Sequence, residues 1–262
     1  MRRIFGTGHA AVIGVLVFLL GAAPVSAEAF TDAQKGEIEK IVGEFIAKNP
    51  EFIADYLRQN PEILLEVSDI LRAKQAAQQD EAKAYALNAH REKIERHPMT
   101  PVTGNAEGDV TLVEFFDYNC GYCKRVFAYM NNIEKDDPNL RIVWKEFPIL
   151  GPVSRFAAQA AMAADRQGKY IEFHRALMSG ARLVSEEQVL KVAGKTGLDV
   201  ERLKTDMQDP VISAYIDETL QLANALGITG TPGFVVGDEV IAGAISEGEM
   251  KRVIQFTRQN GS

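Results

Sequence analysis

Glu114-Phe115-Phe116-Asp117-Tyr118-Asn119-Cys120-Gly121-Tyr122-Cys123-Lys124 is the stretch on which the fold turns. Its first half completes a short apolar run, Thr111–Asp117, that reads as a buried strand. A helix is expected to begin near Cys120. Two residues between the thiols place both sulfurs on one helical turn, close enough to bridge. A helix N-terminus favours negative charge, so the first thiol is biased toward thiolate, the nucleophile in disulfide exchange. Cys120, at the exposed helix start, is the expected attacking residue, and Cys123, one turn in, the resolving one. The spacing alone also fits a static disulfide or a metal pair. Zinc would need further ligands from His90, His97 and His174, none near the motif in sequence, whereas copper(I) would need only the thiols. Two cysteines among 262 residues exclude a disulfide-stapled scaffold and a closed four-cysteine zinc site within one chain.

Working outward, Leu140–Phe147 reads as a second strand. Residues 153–226 carry helical patterns broken at Gly168, Gly180, Gly194–Gly197 and Pro210. Phe234-Val235-Val236 and Glu239-Val240-Ile241 read as a hairpin turning at Gly237-Asp238. Ser246–Gln259 closes the chain as a helix with a capping box from Ser246 to Glu249. The class is α/β.

The quoted stretch resembles the active-site segment of the DsbA-like thioredoxin superfamily. Gly230-Thr231-Pro232-Gly233 resembles that family's cis-proline loop, and Phe147-Pro148-Ile149-Leu150-Gly151-Pro152-Val153-Ser154 resembles its bacterial members. The likeness covers about residues 108–262. It implies a thioredoxin-like fold with a helical insertion at about 153–226, and a Cys120/Cys123 couple acting without any other cofactor. It implies catalytic roles for Cys120, Cys123, Glu114 and Pro232, with Glu114 relaying a proton to or from Cys123. A cis Pro232 would leave the Thr231 backbone free to pair with an extended substrate, and Tyr122 would tune the thiols and offer an apolar contact. Read physically, a carboxylate in a buried strand is costly to ionise, so the Glu114 pKa should rise. Lys145, on the second strand, is its candidate partner. His174 reads as a surface or packing histidine.

The dipeptide between the cysteines bears on direction. Strong oxidants of the family carry Pro-His there, and a cationic histidine holds the thiolate. Gly121-Tyr122 has no charge and, with Thr231 before Pro232, resembles the disulfide isomerases. Isomerase or reductase is therefore preferred, with a disulfide-forming oxidase, or a copper(I)-binding or holdase module, as alternatives. The implied partners are unfolded or misoxidised exported proteins and a membrane thiol redox partner.

The N-terminal part is of another kind. Arg2, Arg3 and the apolar run Ala10–Leu20 precede Val25-Ser26-Ala27, so residues 1–27 read as a signal peptide cleaved after Ala27, or after Ala29. The expected location is periplasmic. Residues 28–96 read as a helical oligomerisation segment. Ile38, Ile41, Val42, Phe45 and Ile46 make one apolar stripe. Asn49-Pro50-Glu51 and Asn60-Pro61-Glu62 repeat as N-cap, Pro and Glu, so two short helices should precede a long one from Pro61 to about Arg96. At ~1.5 Å per residue that helix would be on the order of 50 Å long. Its apolar start, Ile63 to Leu71, needs a partner, while Lys74–Ala84 is polar. Signal peptide and helical segment together resemble the suppressor-of-copper-sensitivity (ScsC-like) branch, whose members include trimeric disulfide isomerases, so a homotrimer is favoured. Residues 97–108, with Pro98, Pro101, Gly104 and Gly108, read as a linker, and 109–262 as the thioredoxin domain. With 29 Lys and Arg against 36 Asp and Glu, the net charge of −7 excludes the basic footprint of a nucleic-acid binder.

Overall fold

A computed structural model describes residues 30–261. The signal-peptide expectation for 1–27 lies outside the described residues. The chain divides into two compact units at Asp69/Ile70.

In the first unit, Thr31 and Gln34 form a capping box that starts α1 (Asp32–Lys48), and α2 (Pro50–Gln59) follows with Pro50 in its first turn. Neither helix buries a single residue. Ile38, Ile41, Val42, Phe45 and Ile46 are exposed, as are Phe52, Ile53 and Tyr56. The rings of Phe45 and Phe52 meet edge to face at 5.7 Å. The two asparagines of the repeat do not act as side-chain N-caps. Asn49 Nδ2 donates to Phe45 O at 2.7 Å and Asn60 Nδ2 to Tyr56 O at 2.8 Å. Each amide closes the helix behind it, where the last carbonyls lack intrahelical donors. The long helix α3 (Glu62–Glu95) starts in this unit and ends in the next.

The second unit is built on a five-stranded sheet, ordered β1-β3-β2-β4-β5. Its members are β1 (Val102–Gly104), β2 (Val110–Phe116), β3 (Leu140–Glu146), β4 (Gly233–Val236) and β5 (Glu239–Ala242). β2 and β3 run parallel, joined by α4 (Gly121–Asp136), because a parallel pair needs a crossover. The other pairings are antiparallel. Between β3 and β4 lie α5 (Pro152–Asp165), α6 (Tyr170–Ser179), α7 (Glu186–Lys195), α8 (Val200–Asp206) and α9 (Pro210–Ala225), and α10 (Glu247–Asn260) ends the chain. Ser185, Asp199, Asp209 and Ser246 cap their helices through side-chain oxygens. This is the α/β, thioredoxin-like fold with a helical insertion that the resemblance implied, and its sheet is mixed.

Alternation along the central strands sorts two cores. On one face Leu112, Phe116, Ile142 and Trp144 pack with α4, the first helices of the insertion and α10. On the other, Val113, Phe115 and Val143 pack with Leu222 and Ala223 of α9, with Leu226 just past its end, and with Ala86, Leu87 and Ile94 of α3. The end of the long helix is thus core of the second unit, not part of a separate N-terminal segment reaching to 96.

The expected linker at 97–108 also differs. Val102–Gly104 pairs with β3 as an edge strand, and Thr103 Oγ1 accepts the Trp144 indole N–H at 3.1 Å. Gly104 has φ +72°, and a Cβ there would lie 2.4 Å from Leu140 O, so only glycine lets the strand end this close to its neighbour. The β4–β5 hairpin turns at Gly237, with φ +59°, as the Gly-Asp pair predicts.

Candidate functional site: the Cys120 and Cys123 thiols

β2 ends at Phe116, and Asp117, Tyr118 and Asn119 turn the chain into α4. Cys120 is the N-cap residue of that helix, with extended backbone (φ −79°, ψ 115°). Its Sγ accepts the Cys123 backbone N–H at 3.4 Å, a capping geometry in which sulfur replaces the usual oxygen. Sγ also lies 3.2 Å from Thr231 O, which accepts its S–H, and the Thr231-Pro232 bond is cis. Both cysteines are free thiols. Cys120 is 6% exposed and Cys123 wholly buried, so the outer thiol is less open than a helix start had implied.

The electrostatics separate the two sulfurs. A hydrogen bond from Cys123 brings the Cys120 thiol down to about 5, against an opposing burial effect and with help from the Thr231 side chain and the N–H groups of Cys123 and Tyr122. The same Cys120 interaction, followed by burial and the Glu114 charge, pushes Cys123 far up. The pair thus favours a thiolate on Cys120 over one on Cys123.

Glu114 projects from the middle of β2 between Trp144 and Phe234 on the neighbouring strands. It is wholly buried, and neither carboxyl oxygen has a hydrogen-bond partner. Burial, and then the Cys120 charge, raise its pKa to about 8. Such a group is neutral or poised near neutral pH, which is what a proton carrier requires.

Lys145 does not pair with Glu114. Register places Phe115, not Glu114, opposite Lys145, so the two side chains leave opposite faces of the sheet. Lys145 Nζ donates to Lys93 O at 2.6 Å and Thr100 Oγ1 at 2.8 Å, beside the Tyr215 ring, and burial lowers its pKa to about 7. Tyr122 is 58% exposed, and Arg125 Cζ stands 4.3 Å from its ring centroid. Thr231 is half-buried next to Cys120, and Pro232 O accepts the Gly243 N–H at 2.9 Å.

His174 is a packing histidine, though not a surface one. It is buried among Phe116, Tyr118, Phe127, Trp144 and Tyr170. Burial drops its pKa to about 3. Its Nδ1 lies 3.0 Å from Tyr118 OH, which donates to Glu146 Oε1 at 2.9 Å, and Tyr170 OH donates to the same oxygen at 2.8 Å. Glu146, buried, is held well above the usual carboxylate range by desolvation.

Several residues that brace the loops around the site escaped the sequence reading. Asp117, buried, accepts the Asn119 N–H at 2.7 Å and the Leu150 N–H at 2.9 Å. Asn119 accepts the Leu183 N–H at 2.8 Å and donates to Ser154 Oγ at 3.3 Å. Lys124 Nζ donates to Leu177 O at 2.5 Å, where α6 ends, and the charges of both cysteines act on it. Asp and Asn between a strand and a helix were the available signal, since both bond readily to nearby backbone. Nothing local marked Glu146 or Lys124.

Residues 111–255 match the DSBA-like thioredoxin domain, and residues 51–78 match the Copper resistance protein ScsC N-terminal domain. A thioredoxin-like oxidoreductase from Silicibacter pomeroyi is 46% identical, covering 64% of this chain and 98% of its own, with a TM-score of 0.63. Salmonella enterica Typhimurium BcfH is 26% identical, covering 85% of this chain and 99% of its own, with a TM-score of 0.68. Among curated proteins, the Na(+)/H(+) antiporter NhaA 3 of Salinispora tropica is 30% identical over 137 residues, 52% of this chain and 21% of that protein. The chain spans about a fifth to a quarter of the length of the curated relatives it matches.

Proposed function

The chain belongs to the DsbA-like thioredoxin family, and from that premise we propose that it is an exported protein disulfide isomerase or reductase. The observation that carries disulfide exchange, whichever way it runs, is the Cys120 thiol, set at a helix N-terminus and brought to about 5 by its neighbours. At neutral pH it is a thiolate. It attacks one sulfur of a client disulfide; the client S–S bond breaks, and the other client sulfur leaves as a thiolate. In isomerisation a second client thiol displaces Cys120. In reduction Cys123 gives its proton to the ionised form of Glu114 and attacks Cys120 Sγ; the Cys120–client S–S bond breaks as the Cys120–Cys123 disulfide forms, and the client sulfur leaves as a thiolate that takes its proton from solvent. The redox equivalents reside in this pair, with no separate cofactor, and a membrane thiol partner restores it. The periplasm is the expected compartment, given the leader-like residues 1–27. Among the described residues no helix is long and apolar enough to cross a membrane.

Isomerase is preferred to oxidase because residues 30–69 fit a self-association segment, with a trimer favoured. The support is the match at 51–78 and an apolar surface that the single chain leaves open. Burying a large aliphatic side chain is worth ~1.5–3 kcal/mol, so several per subunit would offset the cost of association. Several Cys120 thiolates on one assembly suit the reshuffling of a misfolded client.

The test uses the full mature chain. It should reduce insulin in the presence of dithiothreitol and reactivate scrambled ribonuclease, and Cys120→Ser should do neither. Light scattering should report an oligomer that Ile41→Glu with Phe45→Glu disperses. A monomer at micromolar concentrations that only oxidises reduced ribonuclease would return the oxidase reading. A chain that binds copper(I) tightly and exchanges no disulfides would point to metal handling instead.

A further inference from the structure

Two short polar side chains tie the turn before Cys120 to two neighbouring loops and to the start of α5. Asp117 reaches the loop after β3 through the Leu150 N–H, at 2.9 Å. Asn119, the residue before the nucleophile, reaches the loop between α6 and α7 through the Leu183 N–H, at 2.8 Å, and the start of α5 through Ser154 Oγ, at 3.3 Å. Leu183 is buried, whereas its neighbour Val184 is 68% exposed. Ile149 and Leu150 on the other loop, and Tyr122 beside Cys120, are also exposed apolar groups. Exposed apolar side chains on the two loops anchored to the turn before a nearly covered nucleophile suit an unfolded chain better than a small polar disulfide.

We propose that Asn119 is a positioning residue that holds the 180–185 loop beside Cys120, so that Val184 contacts apolar segments of the client. The inference rests on the disulfide-exchange reading above and concerns how that site takes its substrate. Two observations separate positioning from a direct effect on the thiol. The Asn119 carboxamide bonds away from Cys120 at both ends, its oxygen to Leu183 and its nitrogen to Ser154. The neighbours that lower the Cys120 pKa are Cys123, Thr231 and Tyr122. Removing Asn119 therefore loosens a client contact and leaves the nucleophile as it was.

The experiment compares the full chain with Asn119→Leu, Val184→Ser and the double variant. One probe is glutathione disulfide. The other is a decapeptide whose single cysteine, flanked by Leu and Val, carries glutathione in disulfide linkage. In single turnovers of the pre-reduced chain, each variant should raise the peptide concentration at half-saturation roughly three- to tenfold, the range of one lost hydrogen bond or apolar contact, with the limiting rate held. The glutathione disulfide rate and the pH midpoint of Cys120 thiolate absorbance should not move. The double variant should be no worse than the more affected single one, because both act through the same loop. An unchanged peptide concentration at half-saturation, equal loss on both probes, a shifted Cys120 midpoint or additive effects would each overturn the inference while leaving exchange intact. A parent chain inert toward both probes would overturn the exchange reading and this inference with it.

Discussion

Replacing Glu114 by Gln should change how stability depends on pH, by an amount the structure fixes. The side chain is wholly buried and lacks hydrogen-bond partners at both oxygens, and its pKa stands at about 8 against an ordinary 4.5. The unfolded chain loses this proton first, so the carboxyl's contribution is fully present below pH 4.5 and is lost as pH rises through 8. At ~1.36 kcal/mol per pH unit, the gap comes to about 5 kcal/mol across the window, and to about 3 kcal/mol by pH 7. Gln cannot ionise and fills the same space. Its own burial cost is constant with pH and cancels in the slope. Urea denaturation of the reduced protein at pH 5, 7 and 8.5 should show Glu114→Gln gaining on the parent by several kcal/mol over that interval. Titrating groups remote from Glu114 are common to both proteins and drop out of the difference, whereas Cys120 and Cys123, which feel its charge, shift with it. Oxidation removes the Cys120 thiolate, the second cause of the raised value, so the gain should shrink in the disulfide form. Parallel stability curves for parent and variant from pH 5 to 8.5 would refute the reasoning, and Glu114 would then have no place as a poised proton carrier.

Iodoacetamide should label Cys120 and spare Cys123, with a rate that rises through a midpoint near the thiol's value of about 5; preferential labelling of Cys123 would reverse the assignment. Cys123→Ser should accumulate mixed disulfides through Cys120, visible on non-reducing gels, whereas Cys120→Ser should trap none. Burial depresses Lys145 to about 7, so its contribution to stability is present above the unfolded value of 10.5 and is lost as pH falls through 7. Lys145→Met should abolish that rise between pH 7 and 10 in urea titrations, and a slope equal to the parent's would contradict the burial of a charged amine there.

What the sequence disclosed depended on how locally each feature is specified. Cys120, Cys123, the strand before them and the helix after them lie within one short stretch, where thiol spacing and helix polarity are decided by neighbours in the chain. The burial of Glu114 was legible for the same reason, from its apolar surroundings. The Glu114–Lys145 pairing failed because it required the register of two parallel strands. An offset of one residue there sends a side chain to the other face, and nothing in either strand states the offset. Val102–Gly104 reads as linker in the sequence because three residues among prolines and glycines carry no period, and only the β3 edge makes them a strand. The asparagine caps were reversed because a carboxamide both donates and accepts. The sequence offers no rule for which helix end it will serve. Glu146 was invisible since its partners lie 24 and 28 positions away in sequence.

Glu146 also bears on how such proteins can be recombined. Its carboxyl, on a central strand, takes phenol hydrogens from Tyr118 in the active-site turn and from Tyr170 in the insertion, and His174 of the same inserted helix closes on Tyr118. The insertion is therefore not a detachable cassette. A chimera that imported the helices of a relative while keeping this strand and turn would strand a buried carboxyl without its two donors, at a cost of roughly 1–3 kcal/mol for each group left unsatisfied. Successful grafts would have to carry Tyr118, Glu146, Tyr170 and His174 as a set, although the four are scattered over both the scaffold and the inserted helices.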